Sequence, residues 1–124
     1  MIDRIDHIVL TVRSVEETCK FYERTLGFRR VDTRGRPTAL HFGRQKINVH
    51  EVARTFDPKA MHPTSGAGDF CLITEGSLEE LQAHLLSCGV LIELGPVDRH
   101  GAEGKMTSIY FRDPDQNLIE VSKY

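Results

Sequence analysis

The sequence predicts an α+β fold of two tandem βαβββ modules, whose sheets form a half-closed barrel around a central cleft. A strand, a capped helix and three further strands occur in the same order twice within 124 residues. Ser14-Val-Glu-Glu17 in the first half matches Ser77-Leu-Glu-Glu80 in the second. We therefore expect one domain over residues 1–124, with module one at 1–53, a linker at 54–67 and module two at 68–124.

Module one is expected to begin with a strand at residues 5–12, where apolar side chains alternate. Ser14 and Glu17 form a capping box that begins a helix, and Gly27 is placed to end it. Three strands complete the module, at residues 28–33, 38–42 and 46–52.

Module two repeats this order after a Pro- and Gly-bearing linker. A strand at residues 69–74 is followed by a helix that Ser77 and Glu80 cap and Gly89 ends. Further strands are expected at residues 91–93, 107–111 and 118–121, with a polar loop at 96–105. The last two strands flank the turn formers of residues 113–117, where Gln116 costs roughly 1 kcal/mol if its position requires a positive φ.

Composition excludes several classes of protein. With 40% apolar and 27% charged residues, the chain is typical of soluble globular domains. A net charge of −2 provides no basic surface for nucleic acid or membrane, and no apolar run approaches the ~20 residues of a membrane span. We expect no signal peptide, because the first residues contain no long apolar region before the first predicted strand. Cys19, Cys71 and Cys88 are isolated, so we expect small buried side chains and a reducing, cytoplasmic location.

One face of each predicted sheet carries polar side chains, whereas the helix-facing side is almost entirely apolar. The polar set is His7, Asn48 and His50 in module one, and Asp69, Ser108, Tyr110 and Glu120 in module two. Glu120 is either a charge that faces solvent or a metal ligand in the cleft, and a polar face exposed to water produces the same pattern. Four basic residues are either groups that attract an anion or ordinary surface residues of turns and loops: Arg44, Lys46, Arg99 and Lys105.

Three segments together resemble the signatures of the vicinal-oxygen-chelate superfamily. They are Asp6-His-Ile-Val-Leu-Thr-Val12, Phe21-Tyr-Glu-Arg-Thr-Leu-Gly-Phe28 and Tyr110-Phe-Arg-Asp-Pro-Asp-Gln-Asn-Leu-Ile-Glu120. That superfamily includes glyoxalase I, fosfomycin-resistance enzymes, extradiol dioxygenases and bleomycin-binding proteins. The likeness covers the whole chain and is greatest to small glyoxalase-domain-containing proteins.

The resemblance implies one divalent metal ion between the two modules, with His7 and Glu120 as ligands. Asp69 is the implied third ligand, where the superfamily usually has histidine, and Asn48 stands where glyoxalase I has glutamate. Nitrogen and oxygen donors of this kind suit Mn²⁺, Fe²⁺, Ni²⁺ or Zn²⁺. Asn48, His50, Ser108 and Tyr110 are then expected to line the substrate pocket, and no catalytic base is assigned.

The resemblance therefore favours a glyoxalase-like metal-dependent enzyme whose small-molecule substrate chelates the ion through two vicinal oxygens. Its class is a lyase, an isomerase or a resistance-type transferase. One alternative is a non-catalytic small-molecule or antibiotic binding protein of the bleomycin-resistance type, and another is an extradiol dioxygenase. By the same resemblance we expect a homodimer, with the site built within one chain or across two.

Overall fold

The fold consists of two helices and eight strands that form two four-stranded sheets. The structure is a computed structural model and describes residues 1–124. The chain divides into two compact units, Met1–Ala67 and Gly68–Tyr124, and each repeats the order strand, helix, three strands. The predicted α+β class and the repeated βαβββ modules are confirmed. Neither helix combines the length and the apolar character that a membrane crossing demands.

Unit one has a mixed sheet in the order β1-β4-β3-β2. Its elements are β1 (His7–Val12), α1 (Val15–Leu26), β2 (Arg29–Val31), β3 (Thr38–Phe42) and β4 (Gln45–Glu51). The β1–β4 pair is parallel and the other pairs are antiparallel. The Glu17 N–H donates to Ser14 Oγ at 3.1 Å, and Gly27 ends α1 in the left-handed conformation, as the capping signals predict.

The core of unit one determines which sheet face remains polar. Leu10 and Val12 on β1 are buried on the same face as Ile47 and Val49 on β4. Burying each such side chain stabilises the fold by roughly 1.5–3 kcal/mol. Because side chains alternate along a strand, a register slip of one residue would expose this set, so burial holds the polar side chains on the opposite face.

Unit two has the sheet order β5-β8-β7-β6, with the β5–β8 pair parallel. Its elements are β5 (Asp69–Ile73), α2 (Leu78–Ser87), β6 (Leu94–Gly101), β7 (Gly104–Arg112) and β8 (Leu118–Lys123). The Glu80 N–H donates to Ser77 Oγ at 3.2 Å and begins α2. Ile109, Phe111, Ile119 and Val121 form the apolar face of β7 and β8.

The prediction for the sixth strand was wrong. Neither a strand at residues 91–93 nor a loop at 96–105 is present; instead β6 and β7 form a hairpin joined through Ala102-Glu103. β6 is the edge strand of its sheet and carries few apolar residues, so its pairing with β7 has no strong sequence signal. Gly95 allows close packing there, because an added Cβ would lie 2.5 Å from the Ser108 carbonyl oxygen.

The turn between β7 and β8 is held by one buried carboxylate. Asp113 Oδ1 accepts the N–H groups of Asp115 at 2.9 Å and Asn117 at 3.0 Å. Asp113 Oδ2 accepts Asn117 Nδ2 at 2.8 Å. Gln116 has φ 70° and is the sole non-glycine residue with positive φ. The turn thereby sets the β7–β8 register, in which Tyr110 lies opposite Glu120.

Candidate functional site

The polar face of unit one combines side chains from β1 and β4. In the parallel register His7 is paired with Lys46, Val9 with Asn48 and Thr11 with His50. Paired residues share a face of the sheet, so His7, Asn48 and His50 all lie on the face opposite the apolar core.

His7 is oriented by its sequence neighbour. Its Nδ1 lies 2.8 Å from Asp6 Oδ2, and this hydrogen bond lowers the pKa of the Asp6 carboxyl. The carboxylate accepts from Nδ1–H, and the second ring nitrogen, Nε2, has no hydrogen-bond partner in the chain. Histidines that bind metals are commonly oriented in this way by a carboxylate. The sequence reasoning overlooked Asp6, although its place directly before His7 was the available signal.

Asn48 and His50 present buried polar atoms without partners. His50 is 4% exposed and no hydrogen bond reaches its Nδ1, and the same is true of the buried Asn48 Oδ1. The Phe56 ring lies 5.4 Å from the imidazole, centroid to centroid. Burial lowers the pKa of His50, and the positive charge of Lys59 adds to this, so the ring is neutral at pH 7. Unsatisfied buried groups are rare, and these two therefore mark a place where a ligand or water completes the hydrogen bonding.

In unit two, Glu120 occupies the centre of the polar face. It is half-buried on β8, with Cys71 of β5 paired to it on one side and Tyr110 of β7 on the other. The Ser122 hydroxyl donates to Glu120 Oε2 at 3.1 Å. One carboxylate oxygen is therefore held by a hydrogen bond within the protein, and the Cys71 thiol is a second neighbour of this carboxylate.

Ser108 and Ser122 lie on this same face and have 0% exposure. Their hydroxyl oxygens are 2.6 Å apart, and the Cys71 sulfur lies 3.2 Å from Ser122 Oγ. Ser108, an expected pocket residue, is thus turned toward Ser122. Alternation from Glu120 assigns Ser122 to the same face, but the sequence reasoning did not include Ser122 among the pocket residues.

The expectation that all three cysteines are buried was wrong. Cys19 is buried, Cys71 is exposed and Cys88 is partly exposed. Partial burial of its sulfur raises the pKa of the Cys71 thiol, and the nearby Glu120 charge raises it further. Cys71 lies on β5, an edge strand that has a neighbouring strand on one side only.

Asp69, the implied third metal ligand, is exposed at the start of β5. It is in register with Leu118, which in turn is paired with Arg112. Arg112 donates to both carboxylate oxygens of Glu93, at 2.9 and 3.1 Å. Glu93, and to a smaller extent Asp69, raise the pKa of Arg112. The Asp69 charge thus already has a cationic neighbour.

Arg99 lies on β6, not in the predicted loop, and contacts Tyr110. Its Nε–H donates to the Tyr110 hydroxyl at 2.9 Å, and the guanidinium carbon is 5.5 Å from the ring centroid. The β6–β7 hairpin therefore places the Arg99 guanidinium against Tyr110, the residue that is paired with Glu120.

No group of three or more His, Cys, Asp and Glu side chains is arranged to hold a metal ion. By type, however, the implied donors fit a divalent ion, because His7 offers an imidazole nitrogen, Nε2, that no protein group contacts, and Glu120 offers a carboxylate.

Comparison with known proteins identifies the family. Residues 4–121 match the model of the Glyoxalase/Bleomycin resistance protein/Dioxygenase superfamily. Virulence protein STM3117 of Salmonella typhimurium is 49% identical over all 124 residues, which cover 86% of that protein. Its crystal structure matches the whole chain and 98% of the compared chain with a TM-score of 0.97. Glyoxalase domain-containing protein RDO1 of Mycosarcoma maydis is 44% identical over 97% of this chain and 68% of its own.

A more distant structure shows the same fold. Lactoylglutathione lyase from Agrobacterium tumefaciens matches 99% of this chain and 95% of its own with a TM-score of 0.74, at 21% identity. The chain is therefore a member of the Glyoxalase/Bleomycin resistance protein/Dioxygenase superfamily.

Proposed function

We propose that the protein is a metal-dependent enzyme that acts on a small molecule bound to a divalent ion through two neighbouring oxygens. His7 and Glu120 are the proposed metal ligands, with Asp69 as the third, and Mn²⁺, Fe²⁺, Ni²⁺ and Zn²⁺ are the candidate ions. The observation that carries the proposal is the 2.8 Å contact between His7 Nδ1 and Asp6, which orients the ring and leaves Nε2 as the nitrogen available to a metal ion.

The reaction class follows from the chemistry of the proposed site. A bound divalent ion polarises substrate oxygens as a Lewis acid, which suits a lyase, an isomerase or a transferase. The Ser122 hydroxyl donates to Glu120 and orients it. Asn48 Oδ1 and the neutral His50 ring provide hydrogen-bonding positions for the substrate, and Tyr110 adds a hydroxyl beside Glu120.

Metal analysis of purified protein tests this proposal. Wild type, His7→Ala and Glu120→Ala are loaded with each candidate ion, dialysed and measured by mass spectrometry. Wild type should retain stoichiometric metal, and each variant should bind at least about tenfold more weakly. His62→Ala and Glu103→Ala remove an exposed loop histidine and a turn carboxylate, and they should match wild type. Equal metal in wild type and both site variants would falsify the proposal.

A second candidate is a non-catalytic binding protein of the bleomycin-resistance type. It is favoured by the lack of a three-donor group and by the unsatisfied Asn48 and His50 atoms. Thermal denaturation of chelator-treated and metal-loaded protein, with and without bleomycin, separates the two candidates. A ligand shift that is unchanged by chelation supports the binding protein, whereas a shift that requires metal supports the enzyme.

We further propose a homodimer. β1 and β5 are edge strands, and Val9 on β1 and Ile73 on β5 remain 46% and 49% exposed. Exposed apolar side chains next to unpaired strand edges are typical of interfaces. Light scattering should give twice the 14.1 kDa chain mass, and Val9→Lys should shift the population toward the monomer.

A further inference from the structure

Arg99 is held in a defined position on the polar face of unit two. Its Nε–H donates to Tyr110 at 2.9 Å, and Nη1 donates to the Asp98 carbonyl oxygen at 3.1 Å. The guanidinium carbon lies 5.5 Å from the centre of the Tyr110 ring. Two hydrogen bonds and a cation–π contact thus position a half-buried guanidinium without neutralising it.

No carboxylate lies within ion-pair distance of Arg99, unlike other arginines that adjoin the sheets. Arg30 binds Glu16 and Asp32, and Arg112 binds Glu93. The Asp98 carboxylate, next to Arg99 in sequence, is instead 3.4 Å from Lys105 Nζ. Nη2 of Arg99 has no partner, so part of its planar donor fork is available to an acceptor from outside the chain.

The same sheet face connects Arg99 to the proposed site. Tyr110, to which Arg99 is bonded, lies opposite Glu120 in the β7–β8 register. Opposed side chains in such a pair have Cβ atoms roughly 5 Å apart. An anion bound by Arg99 would therefore lie beside the Glu120 carboxylate.

We propose that Arg99 is an anion-binding residue, and that the substrate carries a carboxylate or phosphate-like group next to its chelating oxygens. The statement about the substrate rests on the proposed function, whereas the anion site itself does not require metal. Guanidinium binds both anion types through parallel N–H donors.

Inorganic phosphate is a suitable probe, used with metal-free protein at constant ionic strength. Binding is followed through the Arg99 Nε–Hε signal in ¹H–¹⁵N NMR spectra and by calorimetry. The Arg99 signal should shift saturably, and Arg99→Gln should weaken phosphate binding at least about tenfold. Tyr110→Phe should weaken it about threefold because the guanidinium loses its anchor. Glu120→Gln should strengthen it, because a neighbouring negative charge is removed.

Lys105→Gln is the matched control, since it removes an exposed cation from the same hairpin and should change affinity by less than about twofold. Each variant is first checked by urea unfolding. Equal affinity in wild type and Arg99→Gln, or an equal loss in Lys105→Gln, overturns the proposal, as does the lack of a saturable Arg99 shift. If the protein binds phosphate but no metal, the anion site is supported and the proposed metal-dependent enzyme is refuted. If it binds metal but no phosphate, the proposed enzyme is supported and the anion site is refuted.

Discussion

The Ser122 hydroxyl donates to Glu120 Oε2 at 3.1 Å, and Ser108 Oγ lies 2.6 Å from Ser122 Oγ. A hydroxyl has one proton to donate. Since Ser122 uses its proton on Glu120, Ser108 donates to Ser122. The chain of donors therefore runs from Ser108 through Ser122 to the Glu120 carboxylate and holds that carboxylate in one orientation.

Ser122→Ala should lower the free energy of unfolding by about 1–3 kcal/mol, because it leaves the buried Ser108 hydroxyl without an acceptor. Ser108→Ala should lower the free energy of unfolding by a smaller amount, since Ser122 retains its hydrogen bond to Glu120. The double variant should therefore be more stable than the sum of the two single losses. Urea unfolding measures all three, and strictly additive losses would contradict the inferred direction of donation.

Asp6→Ala should weaken metal binding about tenfold without removing a ligand, because Nδ1 of His7 loses its oriented acceptor. Calorimetry with Mn²⁺ measures the affinity. Asp3→Ala is the control, since this exposed carboxylate pairs with Arg4 instead. If the two variants bind Mn²⁺ equally well, Asp6 does not orient a metal ligand.

His50 should make stability depend on pH. Burial lowers its pKa in the folded protein, so below about pH 6.5 the unfolded chain takes up the proton first. Stability is then fully present above that pH and is lost as pH falls toward the folded-state pKa. Urea midpoints from pH 7.5 to 5 should fall less steeply in His50→Gln than in wild type. His62→Gln, in an exposed loop, should retain the wild-type slope.

Gln116→Gly should raise the free energy of unfolding by about 0.5–1 kcal/mol, because the residue has φ 70° and glycine adopts this conformation without a Cβ penalty. Its N–H bond to the Asp113 carbonyl, at 3.0 Å, is retained in the variant. Gln45→Gly, which removes a glutamine within β4, should instead destabilise. A Gln116→Gly protein that unfolds at lower urea than wild type would show that the glutamine side chain contributes more than its backbone strain costs.

Local signals predicted the parts of the fold that depend on neighbours in sequence. The Ser14 and Ser77 caps form the predicted hydrogen bonds, at 3.1 and 3.2 Å. Gly27 adopts the left-handed conformation expected at the end of α1. Local sequence patterns did not predict β6, because this strand is polar and has Pro96 near its start. Its strand conformation is stabilised by pairing with β7, which no short stretch of sequence reveals.

In the candidate site, too, local sequence patterns predicted some residue positions, whereas others depend on pairing between distant parts of the chain. Alternation along β7 and β8 sufficed to assign Tyr110 and Glu120 to one face, where the structure places them. Arg99 was named as a residue that could attract an anion but was assigned to a loop, because its position on a strand depends on the β6–β7 hairpin. Cys71 was misjudged because exposure on an edge strand depends on what covers the sheet and not on the residue type.

Glu120→Gln should accelerate alkylation of Cys71 several-fold near pH 7.5. Partial burial and the Glu120 charge both raise the pKa of this thiol, and the thiolate is the species that reacts. Removing the charge increases the thiolate fraction while Cys71 stays exposed. Cys19 is fully buried with its pKa raised to about 11, so it should stay unmodified in the folded protein. Iodoacetamide labelling followed by peptide mass spectrometry gives the rate at each cysteine. An unchanged Cys71 rate in Glu120→Gln, with Cys19 still protected, would show that the carboxylate does not act on the thiol across the β5–β8 pair.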